Sequence, residues 1–346
     1  MKFRTAIAAI ALVATSTALP MQAHARTQVR AVGSSTVYPF AKAVAERMAR
    51  ANPGTPTPII ESTGTGGGMK LFCGGIGERF PDIANASRRI KSSELKSCSA
   101  TGVKQITEIQ VGIDGIAFAT AKATGLSNLT VRDVYAAIAK MPFGKPNKAK
   151  TWKDVNAQLP AIPIRVYGPP PTSGTRDALV ELLMTPGCET NAGMKALKSS
   201  NADKHKAICI GVREDGAFVE AGENDNLIVQ KIAGTPGTVG IFGYSYLEEN
   251  GDKLKGLSLN GVTPSYDNIA QFKYPGARPL YIYVKNAHAK AIPSIRSFVA
   301  EFTKESTWGR NGYLARLGLI AAPDAVRQRN AQAARTFAPL NFAAVK

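Results

Sequence analysis

Hydrophobic and polar positions along this chain alternate between a strand-like and a helix-like period. The switches fall at turns rich in Gly, Ser and Thr. Residues 29–32 read as a short strand that runs into Gly33-Ser34-Ser35-Thr36. Over residues 38–51, Phe40, Val44, Ala45 and Met48 fall on one stripe at helical spacing, with Lys42, Glu46, Arg47 and Arg50 elsewhere. Asn52-Pro53-Gly54 closes that helix. Ile59-Ile60 predicts a second strand, residues 62–68 a Gly-rich turn, and Met69, Leu71 and Phe72 a short helix. A third strand at residues 82–84 leads to Asn85-Ala86-Ser87-Arg88-Arg89. This strand–turn–helix alternation predicts an α/β sheet.

Further on, residues 109–119 form an apolar stretch carrying Gly112 and Gly115, a strand expected to leave the first half of the molecule. Residues 131–138 predict a helix, 152–155 a loop-to-helix passage and 164–167 a strand. Gly168-Pro169-Pro170-Pro171 then forbids regular structure. Thr172-Ser173-Gly174-Thr175-Arg176 opens an apolar helix expected over 177–184. A helix at 228–233, glycine-punctuated strand at 237–244, strand at 280–284 and helices within 292–317 complete the pattern. Trp152 and Trp308 are expected to pack in the core, and Tyr38 behind the first turn.

Three of these turns start helices. A helix N-terminus offers unpaired N–H donors and about half a positive charge, so it attracts phosphate-like groups without any catalytic side chain. A P-loop is excluded at residues 64–70, because Met69 stands where the Walker spacing needs Gly and neither Ser nor Thr follows Lys70. Asp82 is expected to satisfy nearby backbone, and Arg89 to be solvated at a strand end.

Composition narrows the setting. Lys2 and Arg4, the apolar stretch 6–19 and Ala23-His24-Ala25 read as a secretory signal covering residues 1–25, so the mature chain is expected to start at Arg26, soluble outside the cytoplasm. The four cysteines fall into two sequence-local pairs, Cys73 with Cys98 and Cys188 with Cys209, although four cysteines allow three pairings. Zinc is not expected: no CxxC occurs, and beyond the signal only His205 and His288 remain. The formal charge of +18 drops by two with Lys2 and Arg4. Such a field steers anions inward. Dispersed basic residues without interleaved aromatics argue against nucleic acid.

Taken in order, Gly33-Ser34-Ser35-Thr36-Val37-Tyr38-Pro39, Gly64-Thr65-Gly66-Gly67-Gly68, Asp82 to Arg88, Asp114-Gly115-Ile116-Ala117, Ser173-Gly174-Thr175-Arg176 and Val239 to Tyr244 resemble the periplasmic phosphate-binding proteins of phosphate ABC transporters. The resemblance implies a two-lobed type II periplasmic-binding-protein fold that closes on one phosphate and docks on a membrane permease. It implies a first lobe of residues 26–119 plus 281–346 and a second of 120–280. It further implies a non-enzymatic, cofactor-free and metal-free monomer of the periplasm. By position, Ser35, Thr36, Thr65, Ser87 and Arg88 would bind phosphate from the first lobe, with Ser173, Gly174, Thr175 and Arg176 closing from the second. Arg176 would place its guanidinium on two phosphate oxygens.

Two departures from the best-known branch bear on selectivity. Ser87-Arg88 stands where that branch has an Asp accepting the phosphate proton, and the Pro-rich stretch at Pro169 replaces an Arg. Asp114 is the remaining candidate acceptor. Sulfate, molybdate or a phosphonate stays open as the ligand. A secreted phosphatase is disfavoured, because neither retained histidine lies near a candidate serine and no acidic cluster is visible.

Overall fold

The structure is a computed structural model that describes residues 26–34, 36–171, 173–222 and 225–345. Three strands begin the chain: β1 (Arg30–Gly33), β2 (Ile59–Ser62) and β3 (Ile83–Ala86), with β1 pairing in parallel to both others. The helix between β1 and β2, α1 (Tyr38–Ala51), has the predicted bounds and buries Phe40, Ala41, Val44, Ala45 and Met48. Each large apolar side chain on that stripe contributes about 1.5–3 kcal/mol by leaving water. On the other face, α2 (Thr65–Phe72) and α3 (Ser92–Ala100) cover a second core of Met69, Phe72, Leu95 and Val103. The Cys73–Cys98 disulfide ties their ends together.

A long strand, β4 (Ile106–Ala121), then runs out of this first lobe. It exceeds the predicted stretch at both ends because it serves two sheet regions. Its first part pairs with β11 (Ala277–Lys285), and its second part pairs with β8 (Val239–Gly243) and β9 (Leu254–Gly256). The second region adds β6 (Val166–Gly168) and β7 (Phe218–Glu220), so the nine-stranded order is β2-β1-β3-β11-β4-β8-β6-β7 with β9 on β4. A separate two-stranded ladder joins β5 (Asn128–Leu129) to β10 (Ser258–Leu259). Three buried clusters follow from this plan: one on each face of the first sheet region, and a third in the second lobe around Phe118, Tyr135, Trp152 and Phe242. Trp152 and Trp308 are buried, as expected.

In the second lobe, α4 (Val131–Ile138) has the predicted bounds and starts at a Thr130–Asp133 capping box. It is followed by the short α5 (Trp152–Val155). The apolar helix after the proline stretch departs from expectation. It begins earlier, as α6 (Gly174–Leu179), because the Ser173 hydroxyl accepts the Thr175 N–H. It then widens into a π-helical turn over Val180–Met184. The second disulfide, Cys188–Cys209, joins the helix Thr185–Glu189 to the helix Ala202–Ile210. The C-terminal helices return to the first lobe, with Phe298, Val299 and Phe302 in the core beneath α1. Among the described residues no helix is long and apolar enough to cross a membrane.

Candidate functional site

The C-terminal end of β2 and the start of α1 meet the turn before α6 across a cavity of about 530 Å³. Thr36, Tyr38 and Ser62 line it from the first lobe, Ser173, Gly174 and Thr175 from the second, and Asp114 from the crossing strand β4. Backbone geometry explains why glycines stand here. Gly33 has φ +131°, and a Cβ there would lie 2.2 Å from the Asn85 carbonyl oxygen. A Cβ on Gly68 would lie 2.4 Å from Gly33 Cα, so α2 packs directly on the first turn. At Gly174 the same atom would meet Thr36 N at 2.5 Å, which makes glycine the condition for the two lobes to touch.

Beneath this contact lies a residue that sequence reading missed. Arg278, 2 % exposed, donates from Nε to Asp114 Oδ2 at 3.1 Å and from Nη1 to Glu181 Oε2 at 2.9 Å. Its Nη2 donates to Thr36 Oγ1 at 2.5 Å and to the Gly174 carbonyl at 3.0 Å. The Thr36 hydroxyl in turn donates to the Gly174 carbonyl at 3.2 Å. Arg278 and Asp114 are direct cross-strand partners on β11 and β4. One guanidinium therefore bonds both lobes and the strand between them. Burial pushes the Asp114 carboxyl above the usual carboxylate range, and the neighbouring Arg278 charge opposes that shift.

The other sequence-predicted positions divide. Ser35 lies outside the described residues. Thr65 and Ser87 are brought together: their hydroxyl oxygens are 3.0 Å apart, and Ser87 N–H donates to Thr65 Oγ1 at 3.1 Å. Both are buried at the start of α2 and the end of β3, and neither lines the cavity. The Arg88 fork closes on Glu94, with Nη1 to Oε2 at 3.0 Å and Nη2 to Oε1 at 2.8 Å. Arg176 turns away from the cavity lining, donating to the Pro169 carbonyl at 2.8 Å and stacking over the Phe218 ring at 4.9 Å. Burial lowers its pKa, and Glu220, 3.5 Å away, works against the shift.

Three neighbouring expectations resolve plainly. Tyr38 lines the cavity, half-buried, rather than packing behind the turn, because it is the first residue of α1 and so stands above the apolar stripe. Asp82 does satisfy backbone, accepting Arg30 N–H at 2.7 Å, and also holds Arg26 and His288. Arg89 is exposed but paired with Glu108 at 2.9 Å.

The arrangement presents hydroxyls and backbone amides from two lobes, one buried guanidinium and one carboxyl whose charge is disfavoured. That set suits a small oxyanion carrying a hydrogen-bond donor.

Several of the known proteins similar to this chain are named for phosphate. Protein SphX of Synechococcus elongatus is 37 % identical over 299 residues, 84 % of this chain and 77 % of SphX. The phosphate-binding protein PstS of Staphylococcus saprophyticus is 31 % identical, covering 79 % of this chain and 74 % of PstS. Among solved structures, a possible phosphate binding protein from Planctomyces limnophilus superposes with a TM-score of 0.71 at 28 % identity, covering 90 % of this chain and 99 % of that one. An ABC-type phosphate transport receptor from Vibrio cholerae shares the fold, with a TM-score of 0.60 at 20 % identity over 85 % of this chain and 99 % of its own. The family model for the PBP superfamily domain matches residues 20–306. With its two-lobed α/β fold and its SphX and PstS relatives, the chain belongs to the PBP superfamily.

Proposed function

We propose that this protein is an extracytoplasmic receptor that binds inorganic phosphate between its lobes and delivers it to an ABC importer. The observation that carries the reading is the Thr36–Gly174 contact over Arg278, a cationic, hydroxyl-lined junction that exists only when both lobes contribute. Its relatives and structural neighbours named for phosphate supply the ligand class. In this reading Ser35, Thr36, Thr65 and Ser87 act from the first lobe and Ser173, Gly174 and Thr175 from the second. Arg278 joins them as the buried cation, and Asp114 accepts the proton of the protonated ion. Arg88 and Arg176 complete the basic surround. The lobes are residues 26–119 plus 281–346, and 120–280.

Binding needs no bond-making. Ordered N–H and O–H donors replace the hydration shell of the ion, and the closed conformation presents a surface that a permease recognises. Residues 1–25 act as an export signal on this account, which places the mature chain in the periplasm. Turnover is not part of the reading.

Calorimetry on phosphate-stripped protein tests it. Phosphate is expected to bind with a saturable heat and sulfate to compete poorly, since an acceptor at Asp114 leaves sulfate with an unpaired partner worth about 1–3 kcal/mol. Absence of any phosphate heat would remove the proposal, and equal competition by sulfate would remove Asp114 from its role.

A further inference from the structure

Among the described partners of Arg278, Glu181 is the one that can leave. Asp114 faces Arg278 across a strand pair, Thr36 is buried at the start of α1, and the Gly174 acceptor is backbone. Glu181 instead reaches in from the π-helical turn Val180–Met184 with its side chain 44 % exposed, and meets Nη1 at 2.9 Å. Its charge also reaches a second guanidinium. The Arg88 pKa is raised first by hydrogen bonding to Glu94, and also by the charges of Glu94 and Glu181. The Glu181 carboxylate thus sits in the field of two guanidiniums, those of Arg278 and of Arg88.

Arg88 and Arg278 carry two positive charges, while Glu94, Asp114 and Glu181 offer three carboxyl groups. An anion reaching Arg278 finds its guanidinium already engaged by Asp114, Glu181, Thr36 and Gly174, and must take the place of a partner. Glu94 is held by both Arg88 nitrogens and the Lys91 N–H, and Asp114 by the strand pair.

We propose that Glu181 is a built-in counter-ion of the anion site, which holds the Arg278 fork and must be displaced when the oxyanion binds. The inference rests on the phosphate-receptor reading above. Glu181 therefore sets affinity: it competes with the ligand for Arg278, and keeps that arginine paired when the ligand leaves.

The test is calorimetry with phosphate and with sulfate on the intact chain and on Glu181→Gln, which keeps the shape and removes the charge. Removing a like charge beside the bound anion should tighten phosphate roughly tenfold, and sulfate by a similar factor. Glu181→Ala is the second variant and should move affinity in the same direction, with thermal unfolding confirming that both fold. An unchanged phosphate dissociation constant in both variants would make the pair purely structural and overturn the inference. Weaker phosphate binding with sulfate unaffected would make Glu181 an acceptor for the ligand's hydrogen, and would also overturn it. If the unaltered chain binds no phosphate, the receptor reading itself falls, an outcome distinct from either.

Discussion

Arg278 spreads its guanidinium over acceptors from three places in the chain: Asp114 on β4, Thr36 before α1, and Gly174 with Glu181 in the second lobe. A planar fork can do this and a point charge cannot. Arg278→Lys keeps a cation beside the buried Asp114, so the fold should survive, but the bonds across the lobes should fail. Phosphate affinity should fall by more than tenfold, about 1.4 kcal/mol, and by more than for Arg176→Ala, when both are measured by calorimetry. An equal loss in the two variants would put the cationic anchor at Arg176. Nothing in the sequence marked Arg278, one of 43 Lys and Arg residues, because its importance comes from pairing with a strand 164 residues away. Thr36 and Thr175 were legible, since a hydroxyl at the start of a helix has a local physical meaning wherever it stands.

At the scale of elements, the site depends on how closely two turns approach. Gly174 allows Thr36 to come within contact, and a Cβ there would overlap Thr36 N at 2.5 Å. Gly174→Ala has no left-handed backbone to strain, so the second lobe should fold normally. The clash acts only between lobes. Phosphate binding should weaken at least tenfold, or about 1.4 kcal/mol, with little change in the unfolding midpoint. A lower midpoint with unchanged affinity would place the clash inside one lobe. Periodicity predicted α1 and α4 to the residue, because each shows one buried stripe against a polar remainder. It under-read β4, which is buried on both faces and so lacks alternation at its ends. The π-helical turn at Val180–Met184 was invisible, as an apolar run carries no mark of one extra residue per turn.

For the whole molecule, the family resemblance carried by the ordered motifs implied the two-lobed plan, which the PBP superfamily match bears out. What it did not convey is that Asp114 on β4 and Arg278 on β11 are direct partners across those strands. A ligand at this point would touch both lobes and the connection between them, which couples occupancy to closure. Arsenate, a tetrahedral oxyanion with phosphate's charge and donor pattern, allows that claim to be measured directly through the anomalous scattering of arsenic in crystals of the mature protein. The account predicts one strong peak between the Thr36 turn and the Ser173–Thr175 turn, within hydrogen-bond distance of both lobes. A peak bound by a single lobe, or none at saturating arsenate, would contradict it.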